Sequence, residues 1–376
     1  MADSGGPAAE RALRRLETAV ARRVELRRRG RRVLASLPAI AQIVVAVAAA
    51  YSIAHWVLGH EVPVLGVTVT ITSLGLTGDA RPGRILQSVV GILVGVTVSE
   101  SLLLLAGRGL PQLLVVILLA LVIGRFLHPN PAFAIGSTLP AVIVQLLPAP
   151  VAGPYSRTLD AVVGGVVALL VTALIPRAPL TAARRDRRAL FGAIDEALGS
   201  LVDGLRDGDQ AALDLALERL RRTQPALDAW TGSLDTARAV ARVSPWLRGR
   251  LPELAREAAS LTAIELAVRH LRTLTRRAGI IARYRSGDPA LAGLVEQLRR
   301  AIGLLGQECD DPELAGSARS VLLGVAGRLS PELSLGEEAG DVAPASIVVM
   351  LRPLAVDLLV GTGMTFDEAR QTLPPV

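Results

Sequence analysis

Arg84-Ile-Leu-Gln-Ser-Val-Val-Gly-Ile-Leu-Val94 opens one apolar segment of this chain, and Arg157-Thr-Leu-Asp-Ala-Val-Val-Gly-Gly-Val-Val167 opens another, 73 residues further on. The Arg, one Leu, two Val, one Gly and the final Val coincide between the two stretches. Three apolar segments separate the two starts, and a repeat of three membrane spans must place its second copy upside down. Many transport proteins build a pathway through the bilayer from such inverted repeats. Chance is the competing explanation, because helices rich in Val, Leu and Gly match easily.

The composition also indicates a membrane protein. The 376 residues are 51% hydrophobic with a mean hydropathy of +0.45, which is too apolar for an ordinary soluble protein of this size. The single Cys309 excludes an internal disulfide. The net charge of +7 does not indicate nucleic-acid binding, since the Arg residues concentrate where a membrane topology signal belongs.

The chain lacks the motifs of the common catalytic sites. GxSxG, the P-loop, HExxH and a GxGxxG placed after a strand are all absent, and the four His residues have no zinc-ligand spacing. We therefore expect no enzyme, no cofactor and no metal. Arg269-His270, in an Arg-rich helix, is interpreted as a solvated face.

Six apolar segments precede residue 177. A spanning helix needs about 20 apolar residues, and short or Gly- and Pro-interrupted spans are typical of helices that line a cavity. The second segment is short. The predicted spans are 37–58, 62–76, 85–106, 110–126, 131–147 and 159–175.

The distribution of Arg predicts the orientation of these spans. Ten Arg residues lie between Arg11 and Arg32, a further cluster follows the sixth span, and lighter clusters alternate between the loops. Because basic residues favour the cytoplasmic side, both termini are predicted to be cytoplasmic in a multi-pass protein of the plasma membrane. Residues 1–35 form a predicted basic amphipathic arm on the lipid surface, and residues 36–177 a six-helix transmembrane domain.

Residues 178–376 are predicted to form a cytoplasmic helical domain. Apolar residues there follow helical spacing, as in Leu213, Ala216, Leu217 and Leu220. Asp288-Pro289 and Thr365 with Glu368 are typical of helix N-termini. The apolar stretch 345–361 is interpreted as a buried bundle helix, because Arg352 and Asp357 would be costly at the centre of a bilayer. The predicted fold class is thus all-α: two inverted three-helix membrane repeats and a cytoplasmic bundle.

Polar residues inside predicted spans are candidates for function. Arg84 and Arg157 lead the two repeated helices, where the positive helix end adds to their charge and attracts anions; the alternative is that each Arg reaches a lipid headgroup. Glu100 and Asp160 are candidates for proton coupling, and Asp160 is expected to pair with Arg157 one turn earlier. Hydroxyls predicted along the substrate pathway belong to Thr68, Thr72, Ser137 and Thr138. Small residues predicted to allow close helix packing are Gly91, Gly95, Gly164 and Gly165.

At these residues the chain resembles the fusaric acid resistance, or aromatic acid exporter, superfamily, to which the plant aluminium-activated malate transporters are distantly similar. Pro63 and the short span after it lead to Arg84, with Gly91 and Gly95 at the family's later glycine positions. Gln87-Ser88 replaces the family's Gly-Thr pair. Arg157, Asp160 and Gly164 fit the second copy of the pattern.

The resemblance implies a homo-oligomer, with a dimer favoured, that exports aromatic or other organic anions across the membrane, with proton coupling. Two alternatives stay open. A passive organic-anion channel would need the Arg pair but no titrating group. A non-transporting membrane anchor would leave the function to the helical domain, and its intramembrane polar residues would tolerate apolar replacement.

Overall fold

The computed structural model describes residues 30, 33–34, 36–75, 82–129, 131–148, 152–175, 179–283, 286–330 and 342–375. The regular secondary structure of these residues is helical, without strands. The chain divides into two compact units, Met1–Arg177 and Ala178–Val376. The predicted basic arm lies almost entirely outside the described residues.

Six helices make up the described part of the first unit. The four long ones are apolar enough by length and composition to cross a membrane. The other two, with 11 and 16 residues, are shorter than an ordinary span. The helices are α1 (Ser36–Val57), α2 (Val64–Leu74), α3 (Pro82–Ala106), α4 (Leu110–Leu127), α5 (Pro131–Leu146) and α6 (Ser156–Leu174).

The last turn of α1 departs from α-helical geometry. Residues Ile53–Val57 form a π-helical turn, and the backbone N–H of His60 donates to the carbonyl of Ala54 at 3.1 Å. Such turns are rare and occur often at functional sites. Here the turn leads the chain directly into the loop before α2, which carries His60.

The helices of the first unit pack against one another, and α3 and α5 each contact more than one neighbour. α2 packs against α6, α5 packs against α3 and α4, and α3 also contacts α6. α3 and α6 run antiparallel, because Val89 near the start of α3 meets Gly165 in the middle of α6, while Glu100 near the end of α3 bonds Thr158 at the start of α6. Large apolar side chains such as Leu105 and Phe126 remain exposed on the outside, as expected for a surface that faces lipid.

The second unit is a bundle of eight helices within its described residues. They are α7 (Pro179–Asp207), α8 (Gln210–Arg221), α9 (Gln224–Val243), α10 (Leu251–Ile281), α11 (Pro289–Glu308), α12 (Ser317–Ala326), α13 (Val342–Gly361) and α14 (Phe366–Gln371).

Helical spacing and capping were predicted well in this unit. Of the predicted apolar face of α8, Leu213, Ala216 and Leu220 are buried. The Asp288 side chain accepts from the Leu291 N–H at 2.9 Å and so caps α11, and α14 begins with the predicted capping box. These predictions are confirmed because capping chemistry is local.

The apolar stretch 345–361 lies in α13, inside the core of the second unit. Leu351, Leu354 and Leu358 of this helix are fully buried, and Arg352 donates to the carbonyls of Leu329 and Pro374. The interpretation as a bundle helix is therefore confirmed. Of the pair interpreted as a solvated face, Arg269 is exposed, whereas His270 is half-buried and its Nε2 lies 3.0 Å from Asp357 Oδ2, so the ring bridges α10 to α13.

A buried ionic cluster fastens α7 to α10. Arg187, only 1% exposed, donates to Glu257 at 2.7 Å and also bonds Asp310 after α11. Trp230 of α9 donates to the same Glu257 oxygen at 3.2 Å. Burial opposes ionisation of Asp310, but hydrogen bonds from Arg187 and from Arg188 outweigh it and lower the pKa of Asp310 below its ordinary value.

Candidate functional site

A cavity of about 570 Å³ opens within the first unit, where the loop before α2 meets the facing ends of α5 and α6. Its size lies in the range of small-molecule sites. The loop supplies His60 and Glu61, α2 supplies apolar Val64 and Leu65, and α6 supplies polar side chains from its first two turns. Charged and apolar groups thus share one wall, as a site for a small amphipathic molecule requires.

A buried histidine–carboxylate pair forms one side of this cavity. His60 Nδ1 lies 2.6 Å from Asp160 Oδ1, and the two residues are 8% and 4% exposed. The His55 ring, from the π-helical turn, donates through Nδ1 to the His60 carbonyl at 2.9 Å and fixes the loop. Imidazole is the side chain whose ordinary charge change falls in the physiological pH range. The two residues thus form a buried, hydrogen-bonded pair on the cavity wall.

Arg157 forms another side of the cavity and is 7% exposed. Its guanidinium donates to the carbonyl of Val144 at 2.7 Å and to that of Pro148, at the C-terminal end of α5. Basic groups are favoured at this negative helix end. These hydrogen-bond partners are neutral carbonyls, and the acidic group that interacts with the guanidinium is the buried Glu100 of α3.

The expected ion pair between Arg157 and Asp160 was wrong. Although i and i+3 side chains can meet on a helix, Asp160 turns to His60 in the loop before α2, and Arg157 turns to the end of α5. The two charges therefore stand on the wall of the same cavity with different partners.

Glu100, near the end of α3, lies beside this site, where α3 meets the start of α6. It is 1% exposed, and its Oε2 accepts from the Thr158 N–H at 3.0 Å and the Thr158 hydroxyl at 2.7 Å. The Tyr155 side chain at the N-cap position makes no capping hydrogen bond, so Glu100 takes the place of a cap from a neighbouring helix. Its Oε1 is buried and has no hydrogen-bond partner within the described part of the chain, which leaves spare acceptor capacity there.

Arg84 does not line this cavity. It is exposed near the start of α3. Since α3 and α6 are antiparallel and Glu100 of α3 lies level with the start of α6, about 16 helical residues, or roughly 24 Å of helix rise, separate Arg84 from the level of the cavity. The two matched arginines thus occupy opposite ends of the helix pair.

The predicted pathway hydroxyls are bonded within their own helices. Thr68 and Thr72 donate to the carbonyls of Val64 and Thr68 in α2, each at 2.7 Å. In α5, the buried hydroxyls of Ser137 and Thr138 both donate to the carbonyl of Ala134. None of the four side chains lines the cavity.

Glycines set how closely the helices approach. A Cβ on Gly164 would lie under 3.0 Å from the Gly66 carbonyl oxygen of α2, and one on Gly165 would meet Val89 of α3. A Cβ on Gly91 would lie 3.1 Å from the Phe133 ring, whereas one on Gly95 would make only an ordinary 3.5 Å contact with Ala141. The Thr70 hydroxyl also bonds the Gly164 carbonyl, at 3.2 Å. α2 and α6 are therefore in backbone contact one turn beyond Asp160.

Sequence reasoning missed His60. It lies 100 residues from its partner in a loop, and no local pattern marks it. The signal that was available is its position directly before the short apolar segment, together with an acidic residue in the first turn of the last predicted span. Among the described residues, no three His, Cys, Asp or Glu side chains are grouped so that they could hold a metal ion.

Long apolar helices with charged side chains buried between them define the class: this is a multi-pass membrane protein. Residues 33–171, which make up most of the first unit, match the family described as fusaric acid resistance protein-like. Proteins of the family are membrane transporters.

A relative of the chain is an uncharacterized protein of Corynebacterium glutamicum, 29% identical over 237 residues. The alignment covers 59% of this chain and 58% of that protein, so the chain spans little more than half of the relative's length.

Proposed function

We propose that this protein exports aromatic or other organic anions across the cell membrane, with anion binding in the cavity linked to a proton on the His60–Asp160 pair. In this proposal the six helices of the first unit are six spans in two inverted repeats, with both termini and the second unit in the cytoplasm, and the protein works as a homo-oligomer. The family match over residues 33–171 supports the transporter class. One observation carries the substrate class: a buried guanidinium on the cavity wall whose hydrogen bonds go to carbonyls.

The charge on the cavity wall explains why an anion would bind. Removing a carboxylate from water is costly unless a cation receives it, and Arg157 is fixed in place to do so. Asp160 and the neighbouring Glu100 oppose an anion while they are ionised, and Arg157 offsets part of their charge. Protonation of the His60–Asp160 pair adds one positive charge to the wall and so strengthens anion binding.

The helix pairing supports the inverted repeat. Exchanging the first three helices with the last three turns the α2–α6 contact into the α5–α3 contact, and both are extensive in the first unit. The same exchange maps α3 on α6, which also touch. In such an arrangement Arg84 would stand at the opposite mouth of the pathway from Arg157.

The proposal is tested by flux of benzoate from proteoliposomes that contain the full chain, with and without a pH gradient. Arg157→Gln should reduce the initial rate at least tenfold and Arg157→Lys should restore part of it, since Lys supplies charge without the planar fork. Arg84→Gln should also lower the rate. Arg125→Gln is the matched control, because Arg125 likewise donates to a backbone carbonyl at a helix end, that of Pro129, but lies outside the cavity.

The same assay separates the alternatives. Asp160→Asn and His60→Gln should abolish the effect of the pH gradient while some benzoate flux remains. Flux in the parent that follows only the benzoate gradient and the voltage would favour a passive channel. If Arg84→Gln and Arg157→Gln both transport as well as the parent, the charges act only as helix caps and topology signals, and the anchor function is favoured instead.

A further inference from the structure

The turn between α9 and α10 exposes a large aromatic side chain. Trp246 is 73% exposed, more than any other large hydrophobic residue described in the second unit, and nearby Val243 is 43% exposed. Leu247, the next residue after the indole, packs against the core of that unit, and its backbone N–H donates to the Ser244 carbonyl at 3.3 Å. An ordered turn therefore directs the indole outward, and an exposed Trp held in this way is typical of a binding surface.

The surface around this turn is basic. Residues 236–252 contain four arginines and no acidic residue, namely Arg238, Arg242, Arg248 and Arg250. Arg250 pairs with Glu253 at 2.7 Å. Arg242 and Arg248 are exposed, and neither forms an ion pair with a residue that the structure describes. Trp246 thus stands beside arginines that carry positive charge into solvent.

The turn lies at the end of the second unit where the chain enters that unit. α7 begins at Pro179, and Arg184 in its second turn lies 3.9 Å from Glu253 in the first turn of α10. The chain reaches Pro179 from α6, which is long and apolar enough to cross a membrane and ends at Leu174, with four residues between. The turn before α10 therefore shares its end of the bundle with the segment that follows a membrane-spanning helix.

We propose that the turn 242–250 of the second unit binds the surface of an anionic membrane. Indole rings are favoured at the membrane–water interface, because their apolar body lies among the acyl chains while their N–H stays hydrated. Arg242 and Arg248 would contact lipid phosphates, for which the guanidinium group is well suited. Docking would hold the second unit against the same bilayer that α6 crosses, whether the first unit is a transporter, a channel or an anchor.

Quenching of tryptophan fluorescence by brominated lipids tests this in the full chain in liposomes. Trp56, which is 79% exposed on the apolar helix α1, is replaced by Phe so that it does not contribute. Trp230 can remain, because it is fully buried in the second unit. Lipids brominated near the headgroup should quench the emission of Trp56→Phe when the liposomes contain phosphatidylglycerol. The double variant Trp56→Phe, Trp246→Phe should lose this quenching.

The basic residues of the turn are tested in the same assay. One arginine beside an anionic surface changes a binding constant about fivefold, so Arg248→Gln should lower the ratio of docked to undocked turn by about that factor. Arg276→Gln is the matched control, since Arg276 is also exposed but lies roughly 37 Å along α10 from its first residue. Salt at about 1 M should also weaken the quenching, because it shortens the Debye length to about 3 Å.

Three results would overturn the proposal. The first is equal quenching with and without Trp246, and the second is equal quenching in liposomes that lack phosphatidylglycerol. The third is emission from Trp246 at short wavelength without quenching by lipid, since the turn would then be covered by protein, as in contact with a second copy of the chain. Arg157→Gln should be quenched as strongly as Trp56→Phe when combined with it, which separates this test from the transport proposal.

Discussion

Replacing Gly164 by Ala tests the backbone contact between α2 and α6. A Cβ at this position would lie under 3.0 Å from the Gly66 carbonyl oxygen and 3.1 Å from that residue's carbonyl carbon and Cα. Ordinary carbon–oxygen contacts are about 3.3–3.6 Å. Because the obstacle is backbone and not a flexible side chain, α2 would have to move away by several tenths of an ångström or more.

The magnitude follows from two opposing effects. Overpacking of this kind costs about 1–3 kcal/mol, and a rigid backbone obstacle favours the upper half of that range. Ala gains up to about 1 kcal/mol over Gly as a helix former. Displacing α2 also lengthens the 3.2 Å hydrogen bond from the Thr70 hydroxyl to the Gly164 carbonyl. We expect a net loss of about 1–2 kcal/mol.

Gly95→Ala is the matched control, since its Cβ would make an ordinary 3.5 Å contact with Ala141. Thermal unfolding of the full chain in detergent should show a lower midpoint for Gly164→Ala, and an equal or higher one for Gly95→Ala. Equal midpoints for the two variants, or a higher one for Gly164→Ala, would refute the close approach of α2 and α6.

Three further predictions concern the second unit. Arg187→Met should destabilise it by about 3–5 kcal/mol, because Glu257 would stay buried without its partner; chemical unfolding followed by the fluorescence of buried Trp230 measures this, and a loss below about 1 kcal/mol would contradict it. Because the folded-state pKa of Asp310 is depressed, its contribution is present above the ordinary Asp pKa of about 3.9 and is lost as pH falls through the folded value; acid unfolding of Asp310→Asn should show a weaker pH dependence than the parent below about pH 4. Asp288→Ala should cost about 1 kcal/mol through loss of the α11 cap, and an unchanged unfolding midpoint would argue against the cap.

The helices could be predicted from sequence because their signals are local. Apolar runs fixed the positions of α1 to α6, and the caps at Asp288 and Thr365 act within one turn. The same apolar runs predict the length of a membrane-spanning helix less well. α2 is helical over only 11 residues, because Pro63 precedes it and Gly75 follows it.

The site could be predicted only in part, because side-chain partners depend on tertiary packing. Arg157 and Asp160 were identified from their cost inside an apolar segment, and both line the cavity. Their partners were not foreseen, since His60 and the end of α5 come from distant parts of the sequence. Thr68 and Thr72 were predicted as pathway residues because they lie in a predicted span, but neither lines the cavity. A hydroxyl in a helix can always bond its own backbone, so its presence in a span says little about a pathway.

The length of α2 has an electrical consequence. Its 11 residues rise about 16 Å, roughly half of the ~30 Å hydrocarbon thickness. If water reaches both ends of so short a helix, the transmembrane voltage falls over that distance, and the local field beside α2 is about twice that of a uniformly filled bilayer. A monovalent anion gains ~2.3 kcal/mol per 100 mV in crossing it. Cellular voltage would therefore act most strongly on charges beside α2.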